Sequence, residues 1–214
     1  MTLTTAHKNA QYLAQFLREQ HEHLPLPIVV ALDGRSGSGK STIAKLTADI
    51  LNANCADTPM VTVIEGDQFY AGGSNSTWDA RSTQEKVANV IDWQRQYKLL
   101  RALREQGAAS WQAFDWESDS WDAEPVPLKL EPIFTTVTDI IILEGAYSAR
   151  PELADVTNLR VLVTSPDKLR RTRLQHREGE AYQADWEARW SEAEAYYLGE
   201  VMPADMFDLV LVNT

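Results

Sequence analysis

Cysteine is nearly absent from this sequence: Cys55 stands alone among 214 residues. One thiol cannot close a disulfide within the chain, which excludes a disulfide miniprotein and fits a reducing compartment. Histidine is scarce too. His7, His21, His23 and His176 show no metal-ligand spacing, and with a single cysteine they exclude a zinc site. The longest apolar runs, at 28–32 and 140–143, fall far short of the roughly 20 residues that cross a bilayer. His7, Lys8, Asn9 and Gln11 stand where a secretory leader needs apolar residues. Positive charge is in deficit, with 20 Lys and Arg against 31 Asp and Glu and a formal net charge of −11. A surface that negative repels phosphate backbones and anionic lipid, so nucleic acid and membranes are excluded as partners of the chain as a whole. The expectation is a soluble, cytoplasmic protein that acts on a small molecule and is free to form a homo-oligomer.

Material for a core is ample. Hydrophobic residues make up 44% and charged residues 24% of the chain, close to globular averages, and the length suits one domain over 1–214. Leu3, Ala6, Ala10, Leu13, Phe16 and Leu17 recur at helical spacing until Pro25 and Pro27 stop the pattern. Largely apolar runs, the mark of strands covered on both faces, follow at 28–32, 60–64, 137–143, 159–163 and 209–212. Helical stretches separate them: one from Lys40, one opened by a Ser82 and Glu85 capping box and ending near Gly107, and two over 166–177 and 182–201. Residues 68–81 read as a long loop, and 110–132, aromatic, acidic and broken by proline, as a small β-rich insertion. Strands alternating with helices predict the α/β class, here three α/β/α layers on a five-stranded parallel sheet. An insertion at about 108–135 and a lid region at about 167–182 complete the expected domain.

Ligands of such sheets sit beyond the carboxyl ends of the strands, and three of the expected strands end in chemistry. Gly34-Arg35-Ser36-Gly37-Ser38-Gly39-Lys40-Ser41 matches the P-loop pattern G-x-x-x-x-G-K-S/T, with Thr42 next in the helix. A polyphosphate needs many donors in little space. Glycines turn successive N–H groups inward, and the helix that follows adds partial positive charge. Lys40 can reach the β- and γ-phosphates and the Ser41 hydroxyl can ligate Mg²⁺. An ordinary glycine turn would not need the strand before and the helix after, and both are expected here. A dinucleotide fingerprint is excluded, because Gly37-Ser38-Gly39-Lys40-Ser41-Thr42 lacks its third glycine.

Asp67 and Glu144 each follow an apolar strand and should lie near the phosphates. Phosphoryl transfer needs a held metal ion and a group that takes the proton of the attacking hydroxyl. Two carboxylates can divide those tasks by direct ligation, through metal-bound water, or as base; either alone could equally cap a loop or make a structural hydrogen bond. Glu65 lies two residues back from Asp67 with no role assigned. Arg170, Arg173 and Arg177 fall at i, i+3 and i+7 on one helix face, while Arg171 points elsewhere. Such a cluster in an acidic chain suits an anionic ligand, the alternative being a solvated face paired with Asp167, Glu178 and Glu180. Tyr70, the pair Trp78 and Asp79, and the triplet Phe114, Asp115 and Trp116 set aromatic faces beside carboxylates. Rings that stack and acids that accept hydroxyl hydrogen bonds suit a nucleoside or sugar-like acceptor.

Together these segments resemble the uridine kinase and phosphoribulokinase branch of the P-loop kinases. The likeness runs through residues 34–42, Asp67-x-Phe69-Tyr70, Leu143-Glu144-Gly145, the arginine-bearing helix and Pro203-x-x-x-Phe207-Asp208-x-Val210. It implies the P-loop NTPase fold, ATP with Mg²⁺, Asp67 as base, and magnesium shared among Ser41, Asp67 and Glu144. It also implies that arginines of 170–177 close over the phosphates, and that Trp78-Asp79 and 114–116 receive the acceptor. The pattern departs where nucleoside kinases carry a histidine and then an arginine: Asp119 and Trp121 stand nearby instead, and the lid is short, ending at Glu178-Gly179. Relatives of this layout phosphorylate pantothenate, fructose, glycerate and ribulose phosphate as well as nucleosides. The expectation is a Mg·ATP-dependent kinase for a small metabolite, with uridine or cytidine leading. Its rivals are an NTP-driven switch without acceptor and a degenerate kinase acting as scaffold. Neither an Asn-Lys-x-Asp guanine motif nor an LSGGQ signature supports the switch.

Overall fold

Every side chain from Ile28 to Leu32 is apolar and fully buried, and the fold uses both faces of that run. The computed structural model describes residues 3–53, 60–179 and 184–214, apart from the side chains at 184–186. Cys55, Tyr182 and the end of the expected lid lie outside the described residues. The central strand β1 (Ile28–Asp33) is flanked in a five-stranded sheet by β2 (Val61–Glu65), β5 (Ile140–Glu144), β6 (Leu159–Thr164) and β7 (Leu209–Val212), in the order β2-β5-β1-β6-β7. All pairs are parallel, and Leu32, Glu65 and Glu144 stand in register at one edge.

Because strand side chains alternate between faces, β1 feeds two cores. Ile28, Val30 and Leu32 pack with Leu13, Leu17, Ile43 and Leu51 of α1 (Thr5–His21) and α2 (Lys40–Asn52). Val29 and Ala31 face the opposite layer with Leu99, Leu100 and Leu103 of α5 (Trp93–Gln106) and Ala193 of α7 (Ala184–Tyr196). This is the three-layer arrangement expected from the apolar runs. Each such aliphatic side chain contributes roughly 1.5–3 kcal/mol by leaving water, so the sheet edge that carries the polar residues rests on a stiff base. Among the described residues no helix is long and apolar enough to cross a membrane.

Several expected boundaries differ. The capping box of Ser82 and Glu85 is present, but the helix it opens, α4 (Thr83–Asn89), stops well before Gly107. Residues 90–92 leave the helix to bond the segment after β2: Ala71 N–H donates to Val90 O and Asp92 N–H to Phe69 O, at 3.0 and 2.8 Å. Asp92 then caps α5 by accepting from Arg95 N–H. The expected loop 68–81 starts within a 3-10 turn (Gly66–Phe69) and contains a short helix, α3 (Asn75–Asp79), capped by Ser74. The strand expected from Val137 begins only at Ile140, because Val137 N–H donates to Gly107 O and extends a separate hairpin. That hairpin pairs β3 (Ala108–Trp111) with β4 (Ile133–Thr136) antiparallel; the stretch between carries only the bridge of Phe114 to Leu128. Beyond β6 lies α6 (Asp167–Glu178), and α7 passes into a π turn over Tyr197–Val201.

Candidate active site

The P-loop joins β1 to α2 at the carboxyl edge of the sheet. Gly39 has φ +97°, and a β-carbon there would lie 2.3 Å from Nδ2 of Asn213, so only glycine fits. At Gly34 a β-carbon would meet the Val163 carbonyl at 2.2 Å. Ser38 is fully buried, and its Oγ lacks a hydrogen-bond partner. Lys40 opens α2 and folds back across the loop, Nζ donating to Arg35 O at 3.2 Å.

Four buried polar residues brace this loop. Asp33, 1% exposed, accepts from Gly34 N–H (2.6 Å), Tyr147 N–H (3.0 Å), Ala149 N–H (2.8 Å) and Tyr197 O–H (2.8 Å). It ties the P-loop to the turn after β5 and to the π turn. Burial raises its carboxyl pKa against the pull of those donors. Glu194 on α7 accepts from Ser36 N–H at 2.8 Å and Ser36 Oγ at 2.5 Å. Asn213 donates to Ser38 O at 2.8 Å. Arg170, 2% exposed, donates to Ser36 O at 2.6 Å and pairs with Asp167.

One cavity of about 1040 Å³ opens beyond the loop. Ser36, Gly37, Gly39, Lys40, Ser41 and Thr42 of the loop and α2 line one end of it, with Asp67 and Glu144 also in the lining. Glu144 is buried, which raises its pKa; Lys40 and the Ser41 hydroxyl oppose that rise, while Asp67 and Glu65 add to it. A hydroxyl and two carboxylates form an all-oxygen donor set, which fits Mg²⁺ bound through one or two carboxylates plus nucleotide phosphates. Among the described residues no group of three or more His, Cys, Asp or Glu could hold a metal ion. Arg173 and Arg177 of α6 line the same end. Arg173 reaches Ser38 O at 3.3 Å and Ser165 Oγ at 3.1 Å, and Arg177 pairs with Glu178 at 2.7 Å.

The opposite end is walled by Tyr70, Trp78, Trp116, Trp121 and Trp190. Trp78 is buried, its Nε1–H donating to Tyr70 Oη and Gly72 O. Phe114 is buried behind the rings of Tyr70 and Trp116, at 4.9 and 4.8 Å.

Thus the fold brings most of the expected residues together, and some stand apart. Gly34 and Ser38 shape the loop without lining the cavity. Arg35 turns outward to Asp167, Ser191 and Glu194. Arg170, Asp79, Phe114 and Asp115 are not at the cavity surface either. Asp79 is gripped by Arg189 at 2.6 and 2.9 Å, and Asp115 accepts from Glu117 N–H at 3.2 Å. Arg171 pairs with Glu187, away from the arginine face. Sequence reasoning missed Asp33, Glu194, Asn213, Trp121 and Trp190. Only Asp33 left a local signal, a charge closing an otherwise solid apolar run.

Three solved structures share this architecture. A possible uridine kinase from Bacillus stearothermophilus superposes with TM-score 0.70 at 18% identity, covering 95% of this chain and 97% of its own. A candidate fructose transport system kinase from Silicibacter sp. TM1040 gives 0.61 at 20% identity, covering 98% and 99%. The YGR205w protein gives 0.68 at 13% identity, covering 99% and 94%. At those identities the likeness shows the fold. No curated protein matches the sequence. The model of the Phosphoribulokinase / Uridine kinase family, however, matches residues 29–186, a stretch that starts in β1 and carries the P-loop, both strand-end carboxylates and the arginine helix. By that match, over more than half its length, the chain belongs to the phosphoribulokinase/uridine kinase family of P-loop kinases.

Proposed function

We propose that this chain is a Mg·ATP-dependent kinase that moves the γ-phosphoryl group to a hydroxyl of a small, nucleoside-like metabolite. One observation supports the reading above the others: a phosphate cradle, two strand-end carboxylates and an aromatic cup share one cavity of about 1040 Å³. That is the upper end of the roughly 300–1,000 Å³ typical of single-ligand sites, room for a nucleotide and a second molecule. A switch that only holds or hydrolyses NTP has no use for the cup.

In this reading the loop amides and Lys40 hold the β- and γ-phosphates. Ser41, Glu144 and Asp67 hold magnesium, which when bound offsets phosphate charge. Asp67 takes the proton of the acceptor hydroxyl as that oxygen bonds to the γ-phosphorus and the bond to ADP breaks. Arg173 and Arg177 face the charge on the transferring group. The aromatic cup keeps water from competing as acceptor.

Lys40→Ala and Asp67→Asn test these roles. Lys40→Ala should abolish turnover with the fold intact. Asp67→Asn should lower kcat at least about a hundredfold, the low end for a general base, while ATP still binds. Undiminished turnover in the first removes the P-loop from the mechanism, and in the second removes Asp67 as base.

A further inference from the structure

Besides Asp67 and Glu144, the cavity lining holds two carboxylates that the proposed chemistry does not use, Glu178 and Glu194. Glu178 pairs with Arg177 at the end of α6, at 2.7 Å. Glu194 is placed differently. It stands on α7, is 4% exposed, and shares the cavity with Ser36 and Lys40. Its Oε1 accepts from both donors of Ser36, N–H at 2.8 Å and Oγ–H at 2.5 Å, and its Oε2 lies 3.6 Å from Arg35 Nε. An anion that takes a P-loop amide, a P-loop hydroxyl and a nearby guanidinium is held as a phosphate would be held.

The cations of the loop are likewise turned onto the protein's own groups. Lys40 Nζ donates to Arg35 O at 3.2 Å, and Arg173 Nη1 to Ser38 O at 3.3 Å. A phosphate seated at Ser36 needs the donors that Glu194 holds. Two anions so close in a buried cavity repel strongly, so one has to leave.

The helix does not depend on Glu194 for its position. Arg189 grips Asp79 at 2.6 and 2.9 Å and Asn75 at 2.9 Å, tying α7 to α3. Glu192 accepts from Thr83 Oγ1 of α4 at 2.9 Å, and Glu187 pairs with Arg171 of α6 at 2.8 Å. One turn before Glu194, Trp190 packs edge-on to Trp78 with centroids 5.3 Å apart. Loss of the Glu194 charge therefore changes the P-loop and leaves α7 in place.

We propose that Glu194 is an internal competitor of the nucleotide, a carboxylate that holds the Ser36 donors and is displaced when a polyphosphate enters. The inference rests on phosphate binding at the P-loop and adds to it a residue that sets nucleotide affinity by opposing it. Apparent affinity scales with the fraction of loops that the carboxylate does not hold. Removing the charge then strengthens nucleotide binding, whereas removing a mere brace weakens it.

That opposition of sign is the test. Glu194→Gln keeps an oxygen for Ser36 and loses the charge, and Glu194→Ala releases both donors. Titration calorimetry with Mg·ATP and with inorganic tripolyphosphate, which needs neither turnover nor acceptor, compares the two variants with wild type. Each variant should bind both ligands about tenfold more tightly, within the usual range for coupled sites. Without ligand both should melt below wild type, because Ser36 loses a charge-assisted partner, and saturating Mg·ATP should raise their midpoints more than that of wild type. Variants that bind tripolyphosphate more tightly while no acceptor is phosphorylated would remove the kinase reading and leave the competitor standing. Unchanged or weaker binding in either variant overturns the inference, and so does failure of all three proteins to bind tripolyphosphate.

Discussion

Replacing Asp33 by asparagine keeps the shape of the side chain and removes one acceptor from a site where four donors converge. Tyr197 O–H can rotate to accept from the new amide, but Ala149 N–H then faces another donor. A stranded buried N–H costs about 1–3 kcal/mol. Thermal midpoints of chains this size move by roughly 2–4 °C per kcal/mol, so Asp33→Asn should melt about 5 °C below wild type. Asp33→Ala strands all four donors and should fall by at least about twice as much. The pH dependence has a definite sign. Burial raises the Asp33 pKa above its unfolded value, so wild type loses stability as pH rises through the folded value, while asparagine does not titrate. The Asp33→Asn deficit is therefore largest in acid and shrinks toward neutral pH. Calorimetric or circular-dichroism melts of both variants across pH measure it. Equal midpoints for wild type and Asp33→Asn at every pH would refute the claim that this carboxylate pins the P-loop to the turn after β5.

Glu144→Gln removes a carboxylate whose pKa burial raises; the nucleotide-free protein should melt higher at neutral pH, an advantage that fades in acid. The same variant should lose at least about tenfold in Mg²⁺-dependent rate, read from a magnesium titration of kcat. Arg170→Ala should lower the thermal midpoint and raise the KM for ATP with kcat nearly kept, because Arg170 supports Ser36 O from outside the cavity. Arg173→Ala should instead lower kcat, and steady-state kinetics on the pair separates support from charge stabilisation. Gly39→Ala combines a left-handed φ with a collision against Asn213; the strain alone is about 1–2 kcal/mol, and ATP binding by calorimetry should be lost.

Much of this fold was legible because parallel sheets write themselves as solid apolar runs. The runs at 28–32, 60–64, 159–163 and 209–212 marked strands to within a residue or so at either end, and residues that end or follow three of the strands carry the proposed chemistry. Misreadings arose where tertiary contacts override local preference. Nothing in Val90-Ile91-Asp92 breaks a helix on its own; the break exists because Phe69 and Ala71 supply better partners. Spacing placed Arg170 with Arg173 and Arg177 correctly on one face, yet it could not say that the first of them lies beneath the P-loop. Glu194, Asn213 and Trp190 reach the P-loop or the cavity from the far C-terminal part of the sequence, where no local pattern marks them. Trp121 sits in the irregular stretch between β3 and β4 and joins the cavity wall, edge-on to Trp116, only once the chain is folded.

The central claim is that one cavity serves both donor and acceptor. Its most direct test is to follow ADP and phosphorylated acceptor together, by coupled assay and mass spectrometry, with Mg·ATP and uridine or cytidine against a no-acceptor control. The account predicts that both products form in equal amounts and that ADP release slows sharply without acceptor. ADP released at the same rate with or without acceptor, and no phosphorylated product, would contradict it.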